Sequence, residues 1–374
     1  MRYVIMFLGA FVAFQFNVYA QYTFLQDIKC AIENQDNNSS WSYSIAFSCD
    51  GKRLAAHQEN DLVIWNKEPN GEWKYLYSFE TNFCSESFLF SKKSLTTLFL
   101  LGEAEEDNDD CAITILEELD TADVQKNSLK FNGDSNSPLS FALSSDECTL
   151  VAAASYLRNN YYKERATTEI TTFNLIDGVW KKGSPLLYYD NPICSLALSS
   201  TGKYLFVSFI DDPMKVYHLD NGQWVFKQTL NKSIVSEFVL FPDDATLACV
   251  LHDAKIGIWN LVNDTWILHQ TIDAHDAEIN ALAVSADGTI MVSGSDDCTA
   301  KIWHQGNDEN NTRSLLWSCK QTIDRGSDCS DNLSDDSDSS EETPDEAIFS
   351  VAISLDAATI ALITFDETIA LYEH

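Results

Sequence analysis

His275, Ser293, Asp297 and Trp303 fall within one short stretch. A serine, a histidine and an aspartate can supply the nucleophile, base and orienting carboxylate of a hydrolase. The serine here sits in Val292-Ser293-Gly294, without the G-x-S-x-G elbow that exposes a nucleophile. The same residues equally suit a buried polar relay, and their surroundings decide between the two. Two acidic runs come next: Glu105, Glu106, Asp107, Asp109 and Asp110 within 103–110, and Asp335, Asp336 and Asp338 within 325–346. Clustered carboxylates are Ca2+ ligand types, yet neither run has the spaced D-x-D-x-D-G pattern of a calcium loop. A solvated, charge-extended loop and a lure for a basic partner are the other readings. Arg158, Tyr161, Tyr162 and Arg165 are types enriched at interface hot spots, unless the tyrosines fold back on their own sheet. Ten cysteines show no metal-knuckle spacing. Cys298 and Cys319, on neighbouring antiparallel strands, form the candidate disulfide. No metal site and no cofactor is expected.

The elements that must position these residues are short strands. From His275 to Trp303 the chain reads as three strands and two turns, Ser285-Ala286-Asp287-Gly288 and Asp296-Asp297. Gly and Asp tolerate the backbone of tight reversals, and short β-branched runs between them make an antiparallel meander. The phrase recurs as IAFSCDGKRLA, FLFSKKSLTTL, FALSSDECTLV, LALSSTGKYLF, VLFPDDATLAC, LAVSADGTIMV and VAISLDAATIA. Its anchors are Ser48, Ser91, Ser144, Ser199, Pro242, Ser285 and Ser354, in steps of 43, 53, 55, 43, 43 and 69 residues. A period of about 40–45 residues with four strands each is the mark of propeller blades. One small sheet cannot bury both faces alone; seven packed radially can.

At these residues the sequence resembles the WD-repeat β-propeller family, from about residue 22 to its end, with the sixth copy the best match. The copies are degenerate: they close on Trp65-Asn66, Trp259-Asn260 or Trp303-His304 rather than Trp-Asp. The resemblance implies an all-β, seven-bladed propeller of four-stranded antiparallel blades. It implies that His275, Ser293, Asp297 and Trp303 form a structural hydrogen-bond network. It also implies closure of the ring by overlap: Tyr22 to Ile28 resembles an outer strand without a blade, while the last copy ends at His374 without an outer strand. The insertions at 103–110, 156–168 and 325–346 would then emerge on one face.

Residues 1–20 read as a signal peptide, with one n-region charge at Arg2, an apolar run from Val4 to Phe14 and cleavage after Ala20. An uncleaved anchor or a buried strand is the alternative. Residues 21–374 then form a single propeller domain with the low-complexity insertion 325–346. The protein is expected to be secreted or extracytoplasmic, with no membrane insertion after signal removal. A formal charge of −33 makes nucleic acid a poor partner and a cationic protein or peptide a better one. Asn37, Asn38, Asn231, Asn263, Asn310 and Asn332 head glycosylation sequons. The expected function is an exported, non-enzymatic interaction scaffold. The alternative is an exported enzyme or cofactor- or metal-binding protein with its site at the mouth of the central channel.

Overall fold

The structure is a computed structural model. It describes residues 21–29, 44–58, 61–80, 87–103, 110–117, 119, 125–132, 138–160, 163–183, 186–189, 193–209, 212–230, 234–307, 313–326, 346–366 and 368–374. The sequence repeats become seven antiparallel sheets, and six of them have four strands. In chain order the blades cover 45–80, 88–132, 138–189, 193–229, 234–273, 279–324 and 348–373. Each sheet runs from an inner strand at the channel to an outer edge strand. The chain is an all-β, seven-bladed propeller.

The turn after each inner strand shows why the phrase repeats. In blade 6 the Ser285 hydroxyl donates to Asp287 at 2.6 Å and accepts from the Ile290 amide at 3.0 Å. Ser48, Ser144 and Ser354 do the same with Asp50, Asp146 and Asp356. The serines are buried, so these bonds satisfy groups that water does not reach. The backbone places Phe241 at this position in blade 5, since its amide bonds the Thr246 carbonyl as the Ser285 amide bonds that of Ile290. The anchor read at Pro242 is therefore one residue late. A proline has no amide to close the turn.

The position three residues after the anchor has positive φ, which glycine takes at Gly51, Gly202 and Gly288. Glu147 and Asp244 stand there instead, at φ 51° and 53°. Each reaches back to the preceding blade. Glu147 accepts from the Ser91 hydroxyl at 2.9 Å and from the amides of Lys92 and Lys93 at 2.5 and 3.2 Å. Asp244 accepts from the amides of Ser200 and Thr201 at 2.5 and 3.0 Å.

Between blades the core is aliphatic and aromatic. Ile290, Val292 and Ile302 of blade 6 pack with Ile348, Ile360 and Leu362 of blade 7. Blade 7 takes its outer strand from the other end of the chain. Thr23–Lys29 pairs antiparallel with Thr368–Glu373. The Tyr22 ring is buried and its hydroxyl donates to the Ala357 carbonyl at 2.5 Å. Strands from both termini thus share one sheet, which leaves the ring without a free inner edge.

Blade 3 departs from the pattern. Its second and third strands, Thr149–Asn160 and Lys163–Ile176, are paired as far as Asn160 with Lys163. The insertion around 156–168, expected as a loop, is a hairpin that extends the sheet. Its Thr and Tyr content favours strands. A further strand, Leu186–Tyr189, pairs along it.

Candidate functional site

The four residues of the polar relay come together in blade 6. Ser293 lies on the second strand, Trp303 on the third, Asp297 in the turn between them and His275 after the outer strand of blade 5. Trp303 Nε1 donates to Ser293 Oγ at 2.9 Å. His275 Nε2 lies 2.7 Å from the same oxygen, and its Nδ1 lies 2.9 Å from Asp297 Oδ2. A carboxylate only accepts, so Nδ1 carries a proton toward Asp297. In the neutral ring Nε2 is then an acceptor, and the Ser293 hydroxyl donates to it. The chain of donors runs Trp303, Ser293, His275, Asp297.

Asp297 is saturated. It also accepts from the Thr299 amide at 3.0 Å, the Thr299 hydroxyl at 2.6 Å and the Asp276 amide at 3.1 Å. Burial pushes its carboxyl up, but the bonds from His275 and Thr299 outweigh that and hold it well below the usual carboxylate range. Ser293 is 0% exposed. A hydroxyl fixed on both sides, with no path to solvent, cannot meet a substrate carbonyl. This arrangement rigidifies the turn that holds it.

Sequence pairing across the strands shows what the other blades put in place of Ser293. Leu282 pairs with Ser293, and at that register Phe238 meets Cys249, Leu196 meets Val207 and Val351 meets Leu362. Apolar groups and a buried thiol replace the hydroxyl, so the relay loses its middle member. Blade 7 keeps the turn alone: Asp366 accepts from Thr364 at 2.6 Å and from Thr368 at 2.9 Å.

Beside the relay, the turns of blades 5 and 6 frame a depression of about 600 Å3 lined by His252, Asp253, His275, Asp276 and Glu278. Asp253, Asp276 and Glu278 are exposed. Next to them Asp296 accepts from Asn280 at 2.6 Å, and burial pushes its carboxyl up. These carboxylates lie on the face at which the second and third strands of each blade join.

The remaining expected residues divide as follows. Arg158 and Arg165 pair across the blade 3 hairpin and Asp110 opens a strand opposite Asn132. Tyr161, Tyr162, Glu105, Glu106, Asp107, Asp109, Asp335, Asp336 and Asp338 lie outside the described residues, as do residues 1–20. The expected disulfide is corrected. Cys319 is a free, exposed thiol, whereas Cys298 is disulfide-bonded. Cys319 pairs with Trp303, while Cys298 adjoins Thr299, which pairs with Asp324. Strand rise is about 3.3 Å per residue, so five residues of register hold the two sulfurs far apart.

Sequence reasoning missed the contacts that join the outer strands. Gln321 Nε2 donates to the Tyr22 carbonyl at 2.6 Å, and its Oε1 accepts from the Tyr22 amide at 2.8 Å. Gln228 makes the same pair with Trp266 at 2.7 and 2.9 Å, and Gln270 with Trp317 at 2.8 and 2.8 Å. Gln26 completes the series on Trp73 at 3.3 and 3.0 Å. Each glutamine clasps the backbone of one aromatic residue at or near the next outer strand: Trp266, Trp317, Tyr22 or Trp73. The signal was present: an aromatic residue precedes each glutamine by four positions, as in Trp266 and Gln270. The clasp spans the junctions from blade 4 round to blade 1.

Residues 266–304 match the family described as WD domain, G-beta repeat. They cover most of the outer strand of blade 5 and three strands of blade 6. The chain is a β-propeller in which residues 266–304 are similar to a WD repeat. The sequence repeat is offset by one strand from the blade, and that offset is what lets the two ends share blade 7. A solved structure titled "Crystal Structure of Mitotic Checkpoint Complex" aligns over 100% of this chain and 99% of its own with a TM-score of 0.65. At 15% identity it shares the fold. Among curated proteins, the target of rapamycin complex subunit wat1 of Schizosaccharomyces pombe is 27% identical over 33% of this chain. Apoptotic protease-activating factor 1 of Rattus norvegicus is 29% identical over 29% of it. The matched stretches span 40% and 8% of those two proteins.

Proposed function

We propose that the protein is an exported, non-enzymatic scaffold that offers an acidic face to a cationic protein or peptide. The observation that carries this reading is the state of Ser293. The serine, histidine and aspartate that resemble catalytic machinery are spent on holding a turn, which leaves surface recognition as the use of the blade. Loops on a rigid ring are where binding is usually built. The names of two similar chains, a complex subunit and a checkpoint complex, support partnership with protein. The formal charge of −33 and the exposed Asp253, Asp276 and Glu278 favour a basic partner. Export rests on the apolar start of the sequence and is supported by the oxidised Cys298, since disulfides persist in oxidising compartments.

Affinity capture from the native extracellular fraction, followed by binding to a triple variant D253N/D276N/E278Q, tests the reading. A basic partner that associates more slowly with the variant at low salt is the expected result. A partner indifferent to these charges, or an enzymatic activity retained by the folded protein, sinks it.

A further inference from the structure

Among the described residues, four of the seven blade junctions carry a glutamine clasp, and between blades 2 and 3 the turns are joined through Glu147 but no clasp links the outer strands. In blades 4 to 7 the glutamine stands at a register shift in the outer strand, as between Ile302 and Trp303. A bulge of this kind turns the local strand and re-aims a side chain. The outer strand of blade 2 pairs without a shift, and Asn127 holds the equivalent place, opposite Ile115. Asparagine is one methylene shorter. It donates instead to Glu117 of its own blade at 3.3 Å. The residue that the clasp would reach is Trp180, the second residue of the outer strand of blade 3.

A groove of about 620 Å3 lies where the clasp is missing. Leu129, Val179 and Trp180 give it an apolar wall, and Glu117 and Asp146 stand at its rim. Val179 is 60% exposed, a large apolar side chain left facing water. The rim is anionic in use. Asp146 accepts from Ser144 at 2.6 Å and from the Cys148 amide at 3.0 Å, and its carboxyl is held below the usual range, by the Ser144 bond first. Lys93 lines the same groove, with its ammonium on the Asp146 carbonyl, and its charge also helps to hold the Asp146 carboxyl down. Glu147, at the inner end, is occupied by the turn of blade 2.

We infer that this groove binds an extended peptide segment of a partner protein, with a carboxamide or backbone amide taking the place of the missing glutamine on Trp180. Apolar residues to either side would cover Val179 and Leu129, and a Lys or Arg would meet Glu117 and Asp146. The four intact clasps serve as the template: wherever the ring is closed in cis, an amide group fills this position. The inference rests on the scaffold reading and adds a second site to it, away from the acidic face.

The probe is a fluorescein-labelled peptide, Lys-Leu-Gln-Val-Lys, blocked at both ends, with Glu-Leu-Gln-Val-Glu as its control. Fluorescence polarisation reads affinity, and a photoreactive leucine in the probe reports the site. The basic peptide should crosslink to 127–129 or 178–180 and bind at least roughly tenfold more tightly than the acidic one. Asn127→Arg should bring a cation onto Glu117, crowd the groove and weaken the probe at least roughly tenfold. Val179→Arg, at an exposed position that the fold does not need, should weaken it likewise. Equal affinity in both variants overturns the proposal, as does crosslinking confined to the turns of blades 5 and 6, or no binding up to about 1 mM. A native partner that binds the Asn127→Arg protein as well as the parent sinks the groove and leaves the scaffold reading standing. A protein without any native partner that still takes the probe at this groove sinks the scaffold reading alone.

Discussion

Gln321 and Tyr22, separated by 299 positions in sequence, exchange two hydrogen bonds that fasten the last junction of the ring. The strand that follows Tyr22 completes blade 7. Gln321→Ala removes both bonds and should cost roughly 1–2 kcal/mol. Removing residues 21–29 should do more, since it exposes the edge of Thr368–Glu373 to other chains. Size-exclusion chromatography and thermal melts of both forms check this. A truncated protein that stays monomeric with an unchanged melting temperature contradicts closure by this strand.

Trp303→Ala deletes a buried aromatic side chain together with the donor to Ser293, and should destabilise by roughly 3–5 kcal/mol. Ser293→Ala leaves Trp303 Nε1 and His275 Nε2 without their shared partner and should cost roughly 1–3 kcal/mol. Chemical denaturation gives both values. A hydrolase activity abolished by Ser293→Ala in a protein of normal stability would overturn the structural role of the relay.

The repeat was legible because its turn chemistry is local. A serine, an aspartate two residues on and a glycine after it are sufficient to write Ser285-Ala286-Asp287-Gly288, and the strands on either side follow. The ring closure was legible too, since Tyr22-Thr23-Phe24-Leu25-Gln26 has the form of the other outer strands. What depends on register was not. The glutamine clasps need a bulge to aim them, and a bulge leaves little trace in composition. The expected Cys298–Cys319 bond failed for the same reason: membership of adjacent strands says nothing about position along them. At Phe241 the pattern misled by one residue because no serine marks the turn. The blade 3 hairpin hid because its polar residues are also loop residues.

Glu237 gives the protein a pH dependence of known sign. It is partly buried on the inner strand of blade 5, and burial pushes its carboxyl from 4.5 up to about 7. A raised carboxyl stays protonated in the fold where the unfolded chain has released its proton. The stability it lends is full below about 4.5 and drains as pH rises through about 7. Glu237→Gln should therefore add roughly 1–3 kcal/mol at alkaline pH and almost nothing under acid conditions. Melting temperatures of both proteins across that range decide it. Parallel curves would show that Glu237 ionises freely.

The oxidised Cys298 makes a chemical prediction. Alkylation without reduction, followed by digestion and mass spectrometry, should recover Cys298 as a cystine and Cys319 as an alkylated thiol. A free Cys298 in protein from the native source would remove the bond and the support it lends to export. The same material should begin at Gln21, and an intact Met1 would contradict cleavage after Ala20.

The segment 328–346 contains nine acidic residues, five serines and one large apolar residue, Leu333. Its composition offers no core, and blade 6 is fully paired by Asp324 before the segment begins. Replacing it with a short Gly-Ser linker should leave the melting temperature nearly unchanged. Its charge acts at a distance instead. A negative field speeds encounter with a cationic partner, and it weakens with salt because the screening length is about 8 Å at physiological ionic strength. The shortened protein should therefore associate more slowly with its partner at low salt, with a difference that shrinks by roughly 0.5 M. The dissociation rate should change little, because a screened field contributes to approach more than to the docked contact. Stopped-flow association of both forms at two salt concentrations separates these quantities. Equal rates at low salt would leave the segment a passive insertion and move the electrostatic attraction onto Asp253, Asp276 and Glu278.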